Sequence, residues 1–291
     1  MQRRPVRKAG GVADQSCADG FLRHIRACQS ARLPGERLAF HIGVDPVGWV
    51  RPALAEALAG FPEIEATPAR ITLTQPAALQ PIARALSARG CYRWRSEAFD
   101  VRAAADGPVL AVLDRGALPS FGVVSEGVHV NGLVRRADGL HLWIARRSKT
   151  KLLDPGKLDH LVAGGIPAGL SPAQTLVKEA AEEAAVPAAL AAAARRVGMV
   201  RYAMERPEGL RRDRLYCYDL ALPEDFTPRA ADGEVESFER WPVGRVLATV
   251  RDTDDFKFNV NLVLIDLFLR QGLIGGPAAD VLRAALEDGR A

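Results

Sequence analysis

Glu179, Glu182 and Glu183 stand at i, i+3 and i+4, the spacing that puts side chains on one face of an α-helix. Carboxylates gathered in this way form an all-oxygen donor set. Such a set suits a hard divalent cation such as Mg²⁺, which keeps part of its water shell and bridges protein carboxylates to substrate phosphates. The chemistry that follows is hydrolytic attack on a phosphate. The acids also have a plainer reading, because Lys178 and Glu182 are an i, i+4 pair of the kind that stabilises a solvated helix face without catalysis.

The flanking residues favour the catalytic reading. A glycine-rich loop carrying Gly164, Gly165 and Gly169 precedes the acids. Ser171 is a good N-cap, Pro172 suits the first helical position and Gln174 completes a capping box, so the helix must start directly after the loop. Pro187 limits its far end. Ala173, Leu176, Val177, Ala180 and Ala184 give the helix an apolar face to dock on a core while its acids face a cleft.

In this stretch the sequence resembles the Nudix hydrolases, whose signature reads G-x5-E-x7-R-E-U-x-E-E-x-G-U with U a bulky aliphatic residue. Aligning the three helix acids puts Gly164 on the first glycine and Gly169 on a second glycine common in the loop. The chain departs at four positions: Leu170 for the loop glutamate, Lys178 for the arginine, Ala180 for the bulky aliphatic and Ala185 for the late glycine. Lys178 keeps the charge but loses the planar fork of arginine. Leu170 removes a carboxylate that assists metal binding or proton transfer in many relatives.

Further segments are similar to one Nudix subgroup that carries an extra N-terminal domain related to thiamine pyrophosphokinase proteins. They are Val47-Gly-Trp49, Tyr92 to Glu97, Gly127 to Gly132, Leu142 to Ser148, Lys151 to Gly165, Asp232 to Phe238, Phe256 to Asn259, and Asn261. The resemblance implies hydrolysis of a small-molecule diphosphate, with thiamine diphosphate or its oxidised, damaged analogues leading. It also implies Mg²⁺, or Mn²⁺ in its place, held by Glu179, Glu182, Glu183 and the backbone carbonyl of Ala163. Water is then the nucleophile at phosphorus. A nucleotide-sugar or dinucleotide pyrophosphatase is a second reading that the same acids would serve. A catalytically weak diphosphate-binding module is a third, motivated by Leu170 and Ala185.

Other candidates follow from charge and ring chemistry. Glu234 or Glu236, within Asp232-Gly-Glu-Val-Glu, can reach in from a loop as an extra ligand or general base, and Glu234 ranks first. Arg146, Arg147, Lys149 and Lys151 lie shortly before the glycine loop and suit a phosphate clamp, the competing reading being surface charge. Trp94, between Arg93 and Arg95, suits stacking on a heteroaromatic ring or core packing. Lys257 and Asn261 are i, i+4 and are read as substrate contacts or as helix-end groups, while His129 and Asn131 sit in a strand-like run and read as sheet hydrogen-bonding groups.

The 291 residues, 48% hydrophobic and 25% charged, suit a globular protein of two domains. A balance of 39 basic against 35 acidic residues is too even to imply a nucleic-acid partner. Cys17, Cys28, Cys91 and Cys217 are scattered without a paired motif and read as reduced thiols. No apolar run is long enough to span a membrane, and the basic start is not followed by a hydrophobic signal core, so a cytoplasmic monomer or homodimer is expected.

The pattern along the chain predicts a flexible tail over 1–19, an N-terminal α+β domain over 20–120 and a C-terminal domain over 121–291. Helices are expected over Phe21–Ala31, Pro52–Ala59 and Ala77–Ala88, with strands over Leu38–Val44 and Ala98–Ala103 and a link over Gly116–Gly122. Ala137-Asp-Gly139 between alternating apolar runs predicts a β-hairpin from Gly127 to Arg147. Strands are then expected over Arg196–Met204 and Leu215–Ala221, and helices over Pro242–Val250 and Val260–Gln271. The expected fold class is α/β (α+β): an α/β/α sandwich with a mixed sheet, preceded by a smaller α+β domain.

Overall fold

Side chains along the central strands of the second half alternate between two cores, as a period of two requires of a sheet covered on both faces. Leu142, Ile144, Leu215 and Cys217 enter one core, whereas Trp143, Tyr216 and Tyr218 enter the other. In the computed structural model, which describes residues 11–288, this sheet is the middle of a three-layer sandwich.

The described residues open with helix α1 (Gly11–Cys28) and continue through β1 (Leu38–Ile42), β2 (Asp45–Val50), α2 (Pro52–Leu58), β3 (Ile64–Ala66), β4 (Arg70–Leu73) and α3 (Leu79–Ala88). Then come β5 (Ala98–Val101), β6 (Ala111–Asp114) and α4 (Leu118–Phe121). The second half begins with the hairpin β7 (Val124–Arg136) and β8 (Gly139–Arg147), followed by β9 (Leu158–Asp159) and β10 (Val162–Gly165). The acidic helix α5 (Pro172–Ala184) and the short α6 (Ala188–Ala191) come next, then β11 (Arg195–Arg206), β12 (Gly209–Ala221) and β13 (Val235–Pro242). Helices α7 (Val243–Asp252), α8 (Val260–Arg270) and α9 (Gly276–Glu287) are the last elements of the described residues.

The large sheet runs β11-β12-β7-β8-β13, with β10 added to β7 and β9 to β8. It is mixed, because β12 pairs with β7 in parallel while the other pairs are antiparallel. Helices α5 and α6 cover one face, and α1, α7, α8 and α9 cover the other. The N-terminal region has its own sheet, β2-β1-β4-β3, and a separate two-stranded β5-β6 hairpin. Its core joins Phe40, Leu58, Ile71, Leu86, Leu113 and Phe121. No helix among the described residues is long and apolar enough to cross a membrane.

Three expectations change. Residues 1–10 lie outside the described residues, but 11–19 belong to α1 and are not tail. Ala18, Phe21, Leu22, Ile25 and Cys28 recur at helical spacing and insert into the core beneath the large sheet, so residues 20–28 pack with the second half of the chain. The expected link at Gly116–Gly122 holds α4, whose Leu118 and Phe121 are buried in the N-terminal core. The short strands β2, β3, β4 and β6 and the helix α9 carry too little periodicity to be read from sequence, because their apolar residues gain a shared face only once packed.

Candidate active site

The start of α5 is fixed by local chemistry. Ser171 Oγ accepts from the Gln174 N–H at 3.2 Å, and the Ser171 N–H donates to Gln174 Oε1 at 2.9 Å, closing the capping box. With the helix anchored there, Glu179, Glu182 and Glu183 take three different environments. Glu183 is buried, and its Oε2 accepts the Ala163 N–H of β10 at 3.0 Å. Glu179 lies against Gly164, where any Cβ would come within 2.5 Å of its carboxyl group. Glu182 points outward, with Lys178 Nζ 2.6 Å from its Oε2 and 3.1 Å from Glu179 Oε1. Lys178 is thus the counter-charge for the outer two acids, and its own pKa is raised by the hydrogen bond to Glu182.

Burial pushes the Glu183 carboxyl up to about 8, opposed by the Ala163 N–H and reinforced by the charges of Asp159, Glu179 and Glu234. Burial also raises Glu179, against the hydrogen bond from Lys178. Acids held above their ordinary range suit displacement of the proton by a metal ion. The oxygen donors along this helix suit a hard divalent cation: Glu179 and Glu182 share one ammonium as counter-charge, and Glu183 lies against the Ala163 edge of β10. An extended residue presents its N–H and C=O on the same edge, so the Ala163 edge facing Glu183 also carries its carbonyl.

The folded-state pKa of Glu183 lies above its unfolded value, so its contribution to stability is full below about pH 4.5 and is lost as pH rises through about 8. In metal-free protein, wild type should therefore lose stability relative to Glu183→Gln by about 1.4 kcal/mol per pH unit across that window. Urea unfolding of both proteins at pH 5, 6.5 and 8 measures the difference. Parallel curves at all three pH values would contradict the assigned burial.

The helix ends where the family signature has glycine. Ala185 closes α5 in the left-handed region, at φ 51° and ψ 35°. An L residue with a Cβ is disfavoured there, and glycine is not. Ala185→Gly should stabilise the chain by about 1 kcal/mol, seen as a higher urea midpoint with an unchanged slope. An unchanged or lower midpoint would show that the cap carries no strain.

The other sequence candidates separate into two groups. Glu234 lies near the acids and raises the pKa of both Glu179 and Glu183, and its Oε2 is bonded by Lys151 Nζ. Glu236 instead accepts the Lys149 N–H at 3.1 Å from the start of β13. Arg146 donates to the Gly156 carbonyl at 3.0 Å. The remaining expected substrate contacts turn inward. Arg147 is buried and donates to the carbonyls of Leu153 and Asp154 and, at 2.7 Å, to Asp159 Oδ2, so it shapes the 148–157 loop and is not a free phosphate clamp. Buried Lys257 has its Nζ 3.8 Å from Asp159 Oδ2, and buried Asn261 donates to the carbonyls of Lys257 and Phe258. Trp94 packs against the N-terminal core with the Arg84 guanidinium 5.7 Å from its ring.

Sequence reasoning missed the buried polar cluster behind Glu183. His129 and His160 share a 2.9 Å contact between their Nδ1 atoms, and Asp159 lies beside them. The donor atoms of His129, Asp159 and His160 fall within 4.8 Å of one another, as a metal site would require. Two cations also meet Asp159: Arg147 at 2.7 Å and Lys257 at 3.8 Å. Burial alone would raise Asp159, but Lys257 and Arg147 hold it well below the usual carboxylate range. Burial lowers His160 to about 4 and His129 well below its ordinary value, so both imidazoles are neutral. Leu158-Asp-His160, a polar pair next to an apolar strand residue before the glycine loop, was the available signal.

Comparison with known proteins matches the NUDIX domain over residues 126–260 and a domain of unknown function, DUF4743, over residues 20–125. Nudix hydrolase 20, chloroplastic, of Arabidopsis thaliana is 38% identical over 286 residues, covering 91% of this chain and 76% of that protein. The chain belongs to the Nudix hydrolase family. Nudix hydrolase 24, chloroplastic, of the same plant is also 38% identical, over 88% of this chain and 73% of that protein. An uncharacterized yeast protein, YJR142W of Saccharomyces cerevisiae, is 31% identical over 65% of this chain and 58% of its own length. In this Nudix hydrolase the fold sets the signature's Gly164 against Glu179 and the Ala163 N–H against Glu183.

Proposed function

We propose that this Nudix hydrolase is a Mg²⁺-dependent diphosphohydrolase that cleaves the P–O–P bond of thiamine diphosphate or its oxidised analogues. The observation that carries the diphosphate reading is the acidic face of α5 along β10: Glu179 lies against Gly164, and Glu183 bonds the Ala163 N–H and is raised by its burial. The organic half of the substrate rests on the resemblance of the chain to the subgroup whose N-terminal domain is related to thiamine pyrophosphokinase proteins.

Glu179, Glu182, Glu183 and the Ala163 carbonyl would hold the cation, which supplies charge neutralisation at the diphosphate and acidifies water. The protein's own groups do the rest. Water adds to the terminal phosphorus, the bond from that phosphorus to the bridging oxygen breaks, and the bridging oxygen leaves with the monophosphate. Glu234, half-exposed beside Lys151, takes the proton from the attacking water. It supplies the carboxylate that Leu170 does not.

The test is phosphate release with Mg²⁺ by wild type and Glu182→Gln across thiamine diphosphate, oxidised thiamine diphosphates, ADP-ribose, NADH and nucleoside triphosphates. Turnover of the thiamine compounds, reduced about 10³-fold by the substitution, is expected. Turnover of ADP-ribose or NADH instead would transfer the assignment to a dinucleotide pyrophosphatase. Silence across the panel would reduce the protein to a diphosphate-binding module.

A further inference from the structure

The glycine loop that carries Gly164 against Glu179 is held from outside its own domain. Strand β5 of the N-terminal region runs along it and touches it at three points. The Ala168 N–H donates to the Ala98 carbonyl at 2.8 Å. The Gly169 N–H donates to Asp100 Oδ1 at 3.3 Å, with Gly169 in the left-handed region at φ +81°. Gly165 lies so close to the Phe99 ring that a Cβ there would come within 2.6 Å of Cζ.

These contacts come from residues that are themselves fixed. Phe99 is 2% exposed within the N-terminal core, with the Arg115 guanidinium 5.8 Å from its ring. Asp100 is paired with Arg102 at 2.9 Å. On its other side the loop continues the sheet, since the Ile166 N–H donates to the Glu126 carbonyl at 2.9 Å. The loop is therefore clamped between β7 of the large sheet and β5 of the N-terminal region. Five residues separate Gly164 from Leu170, and releasing the β5 wall would remove contacts that offset the entropy cost of ordering them.

We infer that Ala98, Phe99 and Asp100 are positioning residues for the acidic site: β5 pins Gly165–Gly169, and through that segment keeps Gly164 and the Ala163 edge in register with Glu179 and Glu183. The inference rests on the metal-site reading of the preceding section. It gives the N-terminal domain a part in the chemistry that needs no contact with substrate. It also offsets a departure in the loop, because the position of the signature glutamate is held by Leu170, packed against the core under α5, and not by a carboxylate.

The test uses the full chain as wild type, Phe99→Ala, Phe99→Leu, Asp100→Ala and the control Ile71→Val, which trims the same N-terminal core away from the loop. Hydrogen exchange of residues 163–171 is read in metal-free protein, and Mn²⁺ affinity is read by calorimetry well below each unfolding temperature. Phe99→Ala and Asp100→Ala should speed exchange in the loop and weaken Mn²⁺ binding by about tenfold, as loss of an outer support does. Phe99→Leu should recover part of both, and Ile71→Val should leave both unchanged. Loop exchange that matches wild type in Phe99→Ala and Asp100→Ala overturns the inference, as does faster exchange with unaltered Mn²⁺ affinity. Equal weakening in Ile71→Val would overturn it too, since general destabilisation would then be the cause. Wild-type protein that takes up no Mn²⁺ would sink the metal-site reading first, and is distinguished because the variants play no part in it. Should Phe99→Ala not fold, Asp100→Ala, at the partly exposed end of the contact, decides the question.

Discussion

Gly164→Ala should lower turnover by about 10²-fold while leaving the protein folded. The added Cβ would stand 2.5 Å from both Cδ and Oε2 of Glu179, inside any real contact. The obstructing atoms are the far end of a flexible side chain, so the cheap response is rotation of Glu179 away from the site. A fold that survives with one displaced carboxylate is the expected product, and misplacement of about 1 Å at a reacting centre costs rate on that scale. Steady-state kinetics together with thermal unfolding separate the two effects. A variant that retains wild-type turnover would show that Glu179 need not lie over the strand. A variant that unfolds would show that the contact is structural.

Asp159→Ala should destabilise the protein by about 3–5 kcal/mol, because removing one partner of a buried ion pair leaves the other charge uncompensated. Here two are left: Arg147, 2.7 Å from the carboxylate, and Lys257, 3.8 Å from it, both buried. Urea unfolding measures the loss. Adding Lys257→Met to Asp159→Ala should recover part of it, since a methionine fills similar volume without a charge. A loss below about 1 kcal/mol, or a double variant no more stable than the single one, would show that water reaches the cluster and screens it. The same substitution also removes a negative charge that raises Glu183, so the cluster bears on the site as well as on the core.

The four departures from the signature read differently once placed. Ala185 adopts the left-handed cap that the signature glycine would take, so the backbone conformation persists without the residue that favours it. Lys178 replaces an arginine and still reaches two of the acids, though as a point charge. Leu170 joins the apolar cluster under α5, and Ala180 is fully buried there.

Sequence alone determined whatever depends on neighbours a few residues away. The capping box of Ser171 and Gln174, the shared face of Glu179, Glu182 and Glu183, and the Ala137-Asp-Gly139 turn joining β7 to β8 are all local, and each was legible. The order of strands and helices along the second half also predicted a sheet between two helical layers. What only the tertiary structure decided is which charged groups face solvent and which partner they meet. Glu183 and Glu182 are adjacent in sequence, yet one is buried against β10 and the other is exposed beside Lys178. Arg147 and Lys257 carry the same formal charge as Lys151, but Asp159 draws the first two inward while Lys151 meets Glu234. Phe99 and Asp100 reach the glycine loop across about 70 residues of chain. Periodicity and turn chemistry are set within a turn or two of backbone, whereas burial and long-range pairing are set by which surfaces the folded chain brings together.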